Sequence, residues 1–462
     1  MTHVLIAGGG IAGLTTALAL HAAGYERITV VEAAREFQPI GAGLNVMPNA
    51  VRELAALGLL DRLLERSFAT RELRYYHRGG SLISQEPRGV RAGYRWPQLS
   101  IARGELQLAL ADAVRERLGP AALLPGVRVT EVTGISDVTE GAGGRPRVHL
   151  DHRDSTHHGS ASLAPDVLIG ADGIRSAVRA ALNPGEGPPP WNGVLVWRGV
   201  STLPADRIGD FMVIAGDDRH RAVVYPMTRP SAEGTVQVNW ALAAPAAPAA
   251  PAESAGSAGS DATGWAPGTD NTAYRGDWNR PVPVSRFLRH YQGWEFGGVS
   301  LEEVLLAADG AYEYPMVDRE PLARWSHGRT TLIGDAAHAM YPIGSNGATQ
   351  SIVDGRALAH ALARHTDPVP ALAAYEAERR PAMTRLQHAN RRLGPEVVIN
   401  LAHERAPGGF SDIDAVIPPA ERAEIAARYA ATGAFDTASV NQGSPYDLPG
   451  ALAYPTPVRP TR

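Results

Sequence analysis

Gly8, Gly10 and Gly13 form the pattern G-x-G-x-x-G, and Glu32 follows 24 residues after the first of them. Residues of these types at this spacing can hold a dinucleotide. The first glycine permits a tight turn and the second lets backbone approach a pyrophosphate. The third lets a helix, opened by Ile11 and Ala12, pack closely on the preceding strand. Phosphate charge then faces the helix N-terminus, and the Glu32 carboxylate is placed to bind a ribose diol. An acid there disfavours a 2′-phosphate, so FAD or NAD fits better than NADP.

A chain binding NAD alone should continue as a second mononucleotide half, and this one does not. Two further acids end strand-like stretches instead, Asp172 in GADGIRSAVR and Asp335 in TLIGDAAHAM. Three such stations suit a long dinucleotide lying extended, with Asp335 on the hydroxyls of a ribityl chain. No acid or arginine separates Asp335 from Asp354, and Pro342, Gly344, Asn346, Gly347 and Ala348 leave room for a flat isoalloxazine ring. A helix beginning near Gly347 would aim its positive end at the ring edge where charge develops on reduction.

The elements that must position these residues follow from hydrophobic period and turn residues. The segment HVLIA (3–7), the glycine turn, a helix from Ile11 to about Ala23 and RITVVE ending at Glu32 read as a βαβ unit. Amphipathic helices are expected near 50–64 and over 103–118, and a strand over 166–173. Between about Trp191 and Pro315, alternating segments such as VLVWRGV, RAVVYPM and TVQVNWAL predict a second sheet. The Ala-, Pro-, Ser- and Gly-rich stretch 244–268 cannot offset its ordering entropy and is expected to be a disordered surface loop.

The expected fold is therefore α/β. A discontinuous Rossmann-like FAD-binding domain takes residues 1–75, 100–180 and 316–365, and an inserted substrate-binding β-sheet domain takes 76–99 and 181–315. C-terminal helices and an irregular tail fill 366–462.

Composition narrows the function. With 462 residues, 44% of them hydrophobic, the chain can fill more than one core. A net charge of −4 offers no basic field for nucleic acid, and no apolar run could span a membrane. The start MTHVLIAGGG has no basic region before an apolar stretch, so a cytoplasmic protein is expected. Cysteine is absent and all 44 basic residues are arginine, which excludes disulfides, thiol nucleophiles and Schiff-base lysines. His149, His152, His157 and His158 fall in a polar hairpin-like stretch and read as solvated, so no metal site is expected.

These motifs together resemble the single-component FAD-dependent aromatic hydroxylases of the p-hydroxybenzoate and salicylate hydroxylase type. The resemblance runs to about Arg380. It rests on the glycine pattern, Glu32, Arg103 in IARGELQ, Asp172 with Gly173, and Gly334 with Asp335. Within that family, ELRYYHRGG, EPRGV, WRGV, YPMVDREPL and MYPIGSNGATQ look most like the phenazine-modifying members, while the 244–268 insert and the tail depart from the pattern. The resemblance implies that Arg103 contacts FAD between ribityl chain and pyrophosphate, that Asp172 lies beside the pyrophosphate, and that Gly41 to Leu44, including Gly43, line the flavin edge. Pro342 is implied at the junction of flavin and substrate.

The implied reaction uses NADH or NADPH to reduce FAD, adds O2, and delivers oxygen from a flavin C4a-hydroperoxide to an aromatic substrate. Decarboxylation follows where the attacked carbon bears a carboxylate, as in a phenazine-1-carboxylate-like acid. No protein side chain is catalytic, because the flavin carries the chemistry. Trp197, Tyr225 and Trp240 are candidate aromatic walls and Arg198 a candidate carboxylate partner. Strand alternation puts Trp197 and Arg198 on opposite faces, so at most one points at a pocket. A salicylate-type or other phenolic hydroxylase, an FAD-dependent oxidase or dehydrogenase, and a non-enzymatic flavin binder stay open as alternatives. A monomer or homodimer is expected, with no nucleic-acid or membrane partner.

Overall fold

A computed structural model describes residues 1–38, 41–135, 144–152, 160–246, 279–433 and 436–448. Five parallel strands form its first sheet, in the order Thr330–Leu332, Val167–Gly170, Val4–Ala7, Ile28–Glu32, Leu123–Pro125. VLIA and VLIG are continuous apolar runs because both sheet faces are covered, and every residue of both is buried. Helix Ile11–Ala22 is apolar nearly all round for the same reason: its first ten residues are buried, with helices Arg103–Leu118 and Asn346–Arg364 packed against it. The amphipathic stretch expected over 50–64 is two helices, Pro48–Ala56 and Leu60–Glu65. Gly58, at φ +69°, turns the chain between them.

The second sheet has eight strands, ordered Arg280–Val282, Ala308–Val317, Trp191–Pro204, Thr235–Pro245, Arg221–Pro226, Phe211–Gly216, Glu72–His77, Leu82–Pro87. Glu72–His77 lies wholly within it and crosses the expected division between 75 and 76, and Ala308–Val317 likewise crosses that between 315 and 316. Ala244 and Pro245 end a strand rather than open the insert, because they pair in register with Leu195 and Val194. Residues 247–268 of the expected insert lie outside the described residues, as do His157 and His158. His149 and His152 belong to a strand, Arg147–His152, paired with Val127–Thr133 and Ser160–Leu163.

One face of the large sheet packs Trp197, Val224, Trp240 and Leu242 against Phe287, Tyr291 and Leu301. The opposite face packs Tyr225 and Met227 with Val398, Ile399 and Ile417 from the C-terminal part of the chain. That part contributes helices Pro368–Arg391, Val397–Arg405 and Pro419–Thr432.

Its last described segment, 436–448, is clasped to the first domain. Arg52 donates to the carbonyls of Val440 at 3.2 Å and Gly443 at 2.9 Å, Ser444 donates to Glu53 at 2.7 Å, and Arg356 bonds both Glu53 at 3.1 Å and Asp447 at 2.8 Å. The charges of Arg52, Glu53 and Arg356 are buried, so these partners offset a desolvation cost that each would otherwise bear alone. Among the described residues no helix is long and apolar enough to cross a membrane.

Candidate active site

Parallel register assembles the site. Ala7 pairs with Gly170 and with Val31, and Gly170 pairs with Leu332. Gly8, Glu32, Asp172 and Asp335 therefore emerge along one carboxyl edge of the sheet, the edge where open α/β sheets bind ligands.

The three glycines of the turn do different things. Gly8 sits at φ +108°, and a Cβ on it would stand 2.3 Å from the Ala171 carbonyl oxygen. A Cβ on Gly13 would stand 2.0 Å from the Gly8 oxygen, so helix and turn touch through it. Gly10, at the N-cap of helix Ile11–Ala22, would meet no protein atom within 4 Å. The space before this helix end is open, as a pyrophosphate held on backbone amides needs. Ile11 and Ala12 are buried behind it, and Ala12 lies against Gly334, whose Cβ would be 2.9 Å from the Ala12 Cβ.

A paired prediction follows. Gly10→Ala should fold with wild-type thermal stability while binding FAD about tenfold or more weakly. Gly13→Ala should lose about 1–3 kcal/mol of stability even without FAD, because its methyl has nowhere to go. Thermal denaturation of both apoproteins and an FAD titration check the pair; a Gly10→Ala protein with normal FAD affinity would place the pyrophosphate elsewhere.

Glu32 accepts the Gly9 N–H at 2.8 Å on one oxygen and the Ala34 N–H at 2.7 Å on the other, so its carboxylate is fixed at the turn. Gln107 holds the other side of that turn by donating to the Gly9 carbonyl at 2.8 Å. Sequence reasoning missed Gln107, although it stands four residues after Arg103 in helix Arg103–Leu118 and shares its face. Arg103 is exposed at the first position of that helix, its backbone N–H donating to the Ala42 carbonyl at 3.1 Å. Strand Gly43–Val46 pairs with Gln98–Ala102 just before it, which sets 41–44 beside Arg103.

Asp172 has both carboxylate oxygens engaged within the protein. One carboxylate oxygen accepts from the Ser176 hydroxyl and the other from the Ala177 and Val178 amides at 2.7 and 3.3 Å. Burial raises its pKa, and these donors oppose the shift. The carboxylate thus holds the start of helix Ala177–Leu182, while a Cβ on Gly8 would stand 3.0 Å from the Asp172 Cα.

Asp335 is the opposite case. It is exposed, opens the short helix Asp335–His338, and its carboxylate makes no hydrogen bond or ion pair among the described residues. The turn beneath it is rigidly held by Asp354, which accepts the Gly334 N–H at 3.1 Å, His338 Nε2 at 2.5 Å and Arg379 Nε at 2.8 Å. Burial alone would raise the Asp354 carboxyl, but His338 and Arg379 outweigh it and hold the pKa at about 2. Further on, Ser345 takes a left-handed conformation at φ 59° to start helix Asn346–Arg364. Gly347 in its first turn would meet no atom within 4 Å; Ala348 is half-buried and Pro342 exposed.

Gly43 joins this edge to the large sheet. Its N–H donates to Asn239 Oδ1 at 2.6 Å, and a Cβ would stand 2.7 Å from Asn239 Cβ and Met227 Sδ and 2.8 Å from the Tyr225 hydroxyl. Register puts Arg198, Tyr225, Asn239 and Tyr314 on one face, since Tyr225 opposes Asn239, Arg198 opposes Ala241 and Tyr314 opposes Val196.

Trp197 points the other way. It stacks on Phe287 at 5.1 Å between ring centroids and donates to Glu313 at 2.9 Å, and Trp240 is fully buried in the same core. Trp197 is thus a packing residue and not a substrate contact, and of the adjacent pair Arg198 faces the cleft.

The Arg198 guanidinium lies 5.6 Å from the Tyr314 ring centroid and has no carboxylate partner among the described residues. Burial, with Arg103 nearby, lowers its pKa from the ordinary arginine value, while Tyr225 and Tyr314 oppose the shift. Burial likewise raises the Tyr225 hydroxyl, against the pull of Arg198 and an Asn45 hydrogen bond, so it stays a neutral phenol. Arg198 is thus a half-buried cation beside the Tyr314 ring, on the sheet face it shares with Tyr225.

The sequence profile of the FAD binding domain family matches residues 1–260 and 311–389. The chain is 41% identical over 396 residues to the phenazine 1,6-dicarboxylic acid hydroxylase of Lysobacter antibioticus, covering 84% of this chain and 89% of that protein. A salicylate hydroxylase solved as a substrate complex superposes with a TM-score of 0.67 at 21% identity, covering 98% of this chain and 99% of that one. Klebsiella pneumoniae HpxO complexed with FAD and uric acid gives 0.66 at 23% identity, covering 96% and 97%.

Proposed function

The chain belongs to the FAD binding domain family and is an FAD-dependent aromatic monooxygenase, and from that premise we propose that its substrate is a fused-ring aromatic carboxylic acid of the phenazine-1-carboxylate class, anchored by Arg198. The observation that carries this reading is the half-buried Arg198 guanidinium, without a carboxylate partner among the described residues and set beside Tyr314 on the sheet face it shares with Tyr225. The relative at 41% identity acts on a phenazine dicarboxylic acid, which supports the same ring class.

FAD fits the residues present: the open helix end at Gly10 for its pyrophosphate, Glu32 for ribose, Asp335 for ribityl hydroxyls, Arg103 between them, and the turn at Gly347 and Ala348 for the ring. When bound, FAD supplies the electron transfer from NADH or NADPH and the activation of O2 for oxygen insertion. The protein's own work is to bind and orient. Arg198 fixes the acid end of the ring, Tyr225 and Pro342 bound the space beside it, and the contact of Gly43 with Asn239, Met227 and Tyr225 closes the two sheets against water. A cytoplasmic monomer or homodimer completes the reading.

The test is anaerobic reduction of the purified yellow protein by NADH and by NADPH, alone and with phenazine-1-carboxylate, N-methylated phenazine-1-carboxylate or salicylate. A phenazine acid is expected to accelerate reduction by orders of magnitude and to be hydroxylated in air. Stimulation by salicylate alone would move the assignment to a single-ring acid, and no stimulation by any acid would overturn it.

A further inference from the structure

The flavin-facing turn is backed by a part of the chain to which the sequence assigned no role. Gly344 has φ +64°, and a Cβ on it would lie 2.1 Å from the Tyr429 hydroxyl; a Cβ on Gly394 would lie 2.6 Å from the same ring. Tyr429 donates to Asn390 Oδ1 at 2.8 Å and accepts from Asn346 Nδ2 at 2.5 Å, so helix Pro419–Thr432 grips the residue that starts helix Asn346–Arg364. Between them, in the turn Gly394–Glu396, stands a buried acid. The Glu396 carboxylate lies near enough to the Gly344 backbone N–H for that dipole to draw its pKa down, and it faces Arg221 Nε at 3.7 Å, with both side chains no more than 5% exposed.

Arg221 opens strand Arg221–Pro226, and residues 221, 223 and 225 share a face, so Arg221 and Tyr225 are fixed by one strand on one side of the large sheet. We propose that Glu396 is a positioning residue that couples the substrate-bearing strand to the flavin-facing turn. Its two partners belong to the two surfaces that must meet in the reaction: Gly344 to the turn before Gly347, and Arg221 to the strand of Tyr225. An apolar side chain would fill the same volume without the desolvation cost of a loosely paired acid, whereas a carboxylate can hold an amide and a cation at once. A shift of the strand on ligand binding changes the Arg221 contact and, through the same carboxylate, the hold on Gly344.

The arrangement is proton-sensitive. Burial pushes Glu396 up to about 7 against the pull of Arg221 and the Gly344 amide. The other titratable groups facing it are Tyr75 from strand Glu72–His77 and Tyr429 from its helix, both raised well out of the neutral range by burial. His77, His220 and His403 lie around Asp217 and Asp218 beyond Arg221, so wild type must be compared with a variant at Glu396 itself.

This inference rests on the aromatic-acid reading above, and two measurements on FAD-loaded protein separate them. The first is hydrogen exchange at residues 341–349, which needs no substrate. Glu396→Ala is expected to speed exchange there about tenfold while leaving the sheet strands unchanged. The second is the flavin difference spectrum on titration with phenazine-1-carboxylate from pH 6 to 8. Wild-type apparent affinity should change about fivefold or more across that window, and Glu396→Gln should flatten the profile while keeping FAD. Wild-type exchange in Glu396→Ala, or an unaltered profile in Glu396→Gln, overturns the coupling. Should Glu396→Ala not fold, Glu396→Gln is read by both measurements, with the supporting result that wild-type opening of the turn, corrected for the intrinsic exchange rate, is slower above pH 7 than below it and that this difference is lost in the variant. A wild-type protein that gives no spectral shift with any acid defeats the substrate reading alone, and exchange still decides this one.

Discussion

Asp335→Ala is expected to purify nearly colourless, with an FAD dissociation constant raised about 10- to 100-fold, the scale of one lost charge-assisted hydrogen bond. The three acids of this edge differ in free valence. Glu32 and Asp172 already accept backbone or hydroxyl protons on both oxygens, whereas Asp335 stands exposed with its carboxylate unengaged among the described residues. Asp354 spends the binding of His338, Arg379 and the Gly334 amide on holding that carboxylate at the strand end. Asp335→Asn, which keeps one acceptor oxygen, should fall between wild type and alanine. The check is the flavin-to-protein absorbance ratio after purification and an FAD titration of the apoprotein. Wild-type stoichiometry and affinity in Asp335→Ala would remove the ribityl role.

Arg198→Met should raise KM for carboxylate-bearing substrates by about 2–4 kcal/mol, or roughly 30- to 1,000-fold, because the carboxylate would then be desolvated against apolar and phenolic groups. FAD content should stay normal, since no residue of the dinucleotide edge is altered. Arg198→Lys should recover only part of the loss, as an ammonium cannot present two parallel donors to a carboxylate. Steady-state kinetics with a ring acid and its carboxamide separate the outcomes: the acid should lose its preference over the amide. Equal losses for both would show that Arg198 supports the fold of the cleft and not the acid.

The dinucleotide edge was legible in the sequence because it is built locally. Strand, glycine turn and helix are consecutive, and parallel pairing brings further strand ends to the same edge without any need to know their order. The second sheet was legible from alternation, yet alternation leaves two faces and does not say which is the cleft. Trp197 and Arg198 were separable as opposites, and only the packing of Phe287 and Glu313 against Trp197 decides between them.

What the sequence hid are contacts between distant segments. Gln107 reaches Gly9 across 98 residues, Asn239 reaches Gly43 across 196, and Glu396 meets the Gly344 turn from a stretch that reads only as C-terminal helix. Asp172 also has a local role that the sequence reading did not assign. Ser176 follows it at capping distance, and their bond holds the start of helix Ala177–Leu182.

The clasp at the end of the chain bears on how the protein is made. Arg52 and Glu53 are translated early, but their partners Gly443 and Ser444 lie 391 residues later. At about 5–20 residues per second, tens of seconds of synthesis separate the two sides of one buried charge cluster. Through that interval Arg52 and Glu53 have each other but not the carbonyls of Val440 and Gly443 or the Ser444 hydroxyl, and Tyr429 has not yet arrived behind the turn at Gly344. The last partners of this buried charge cluster therefore become available only when nearly the whole chain has been made.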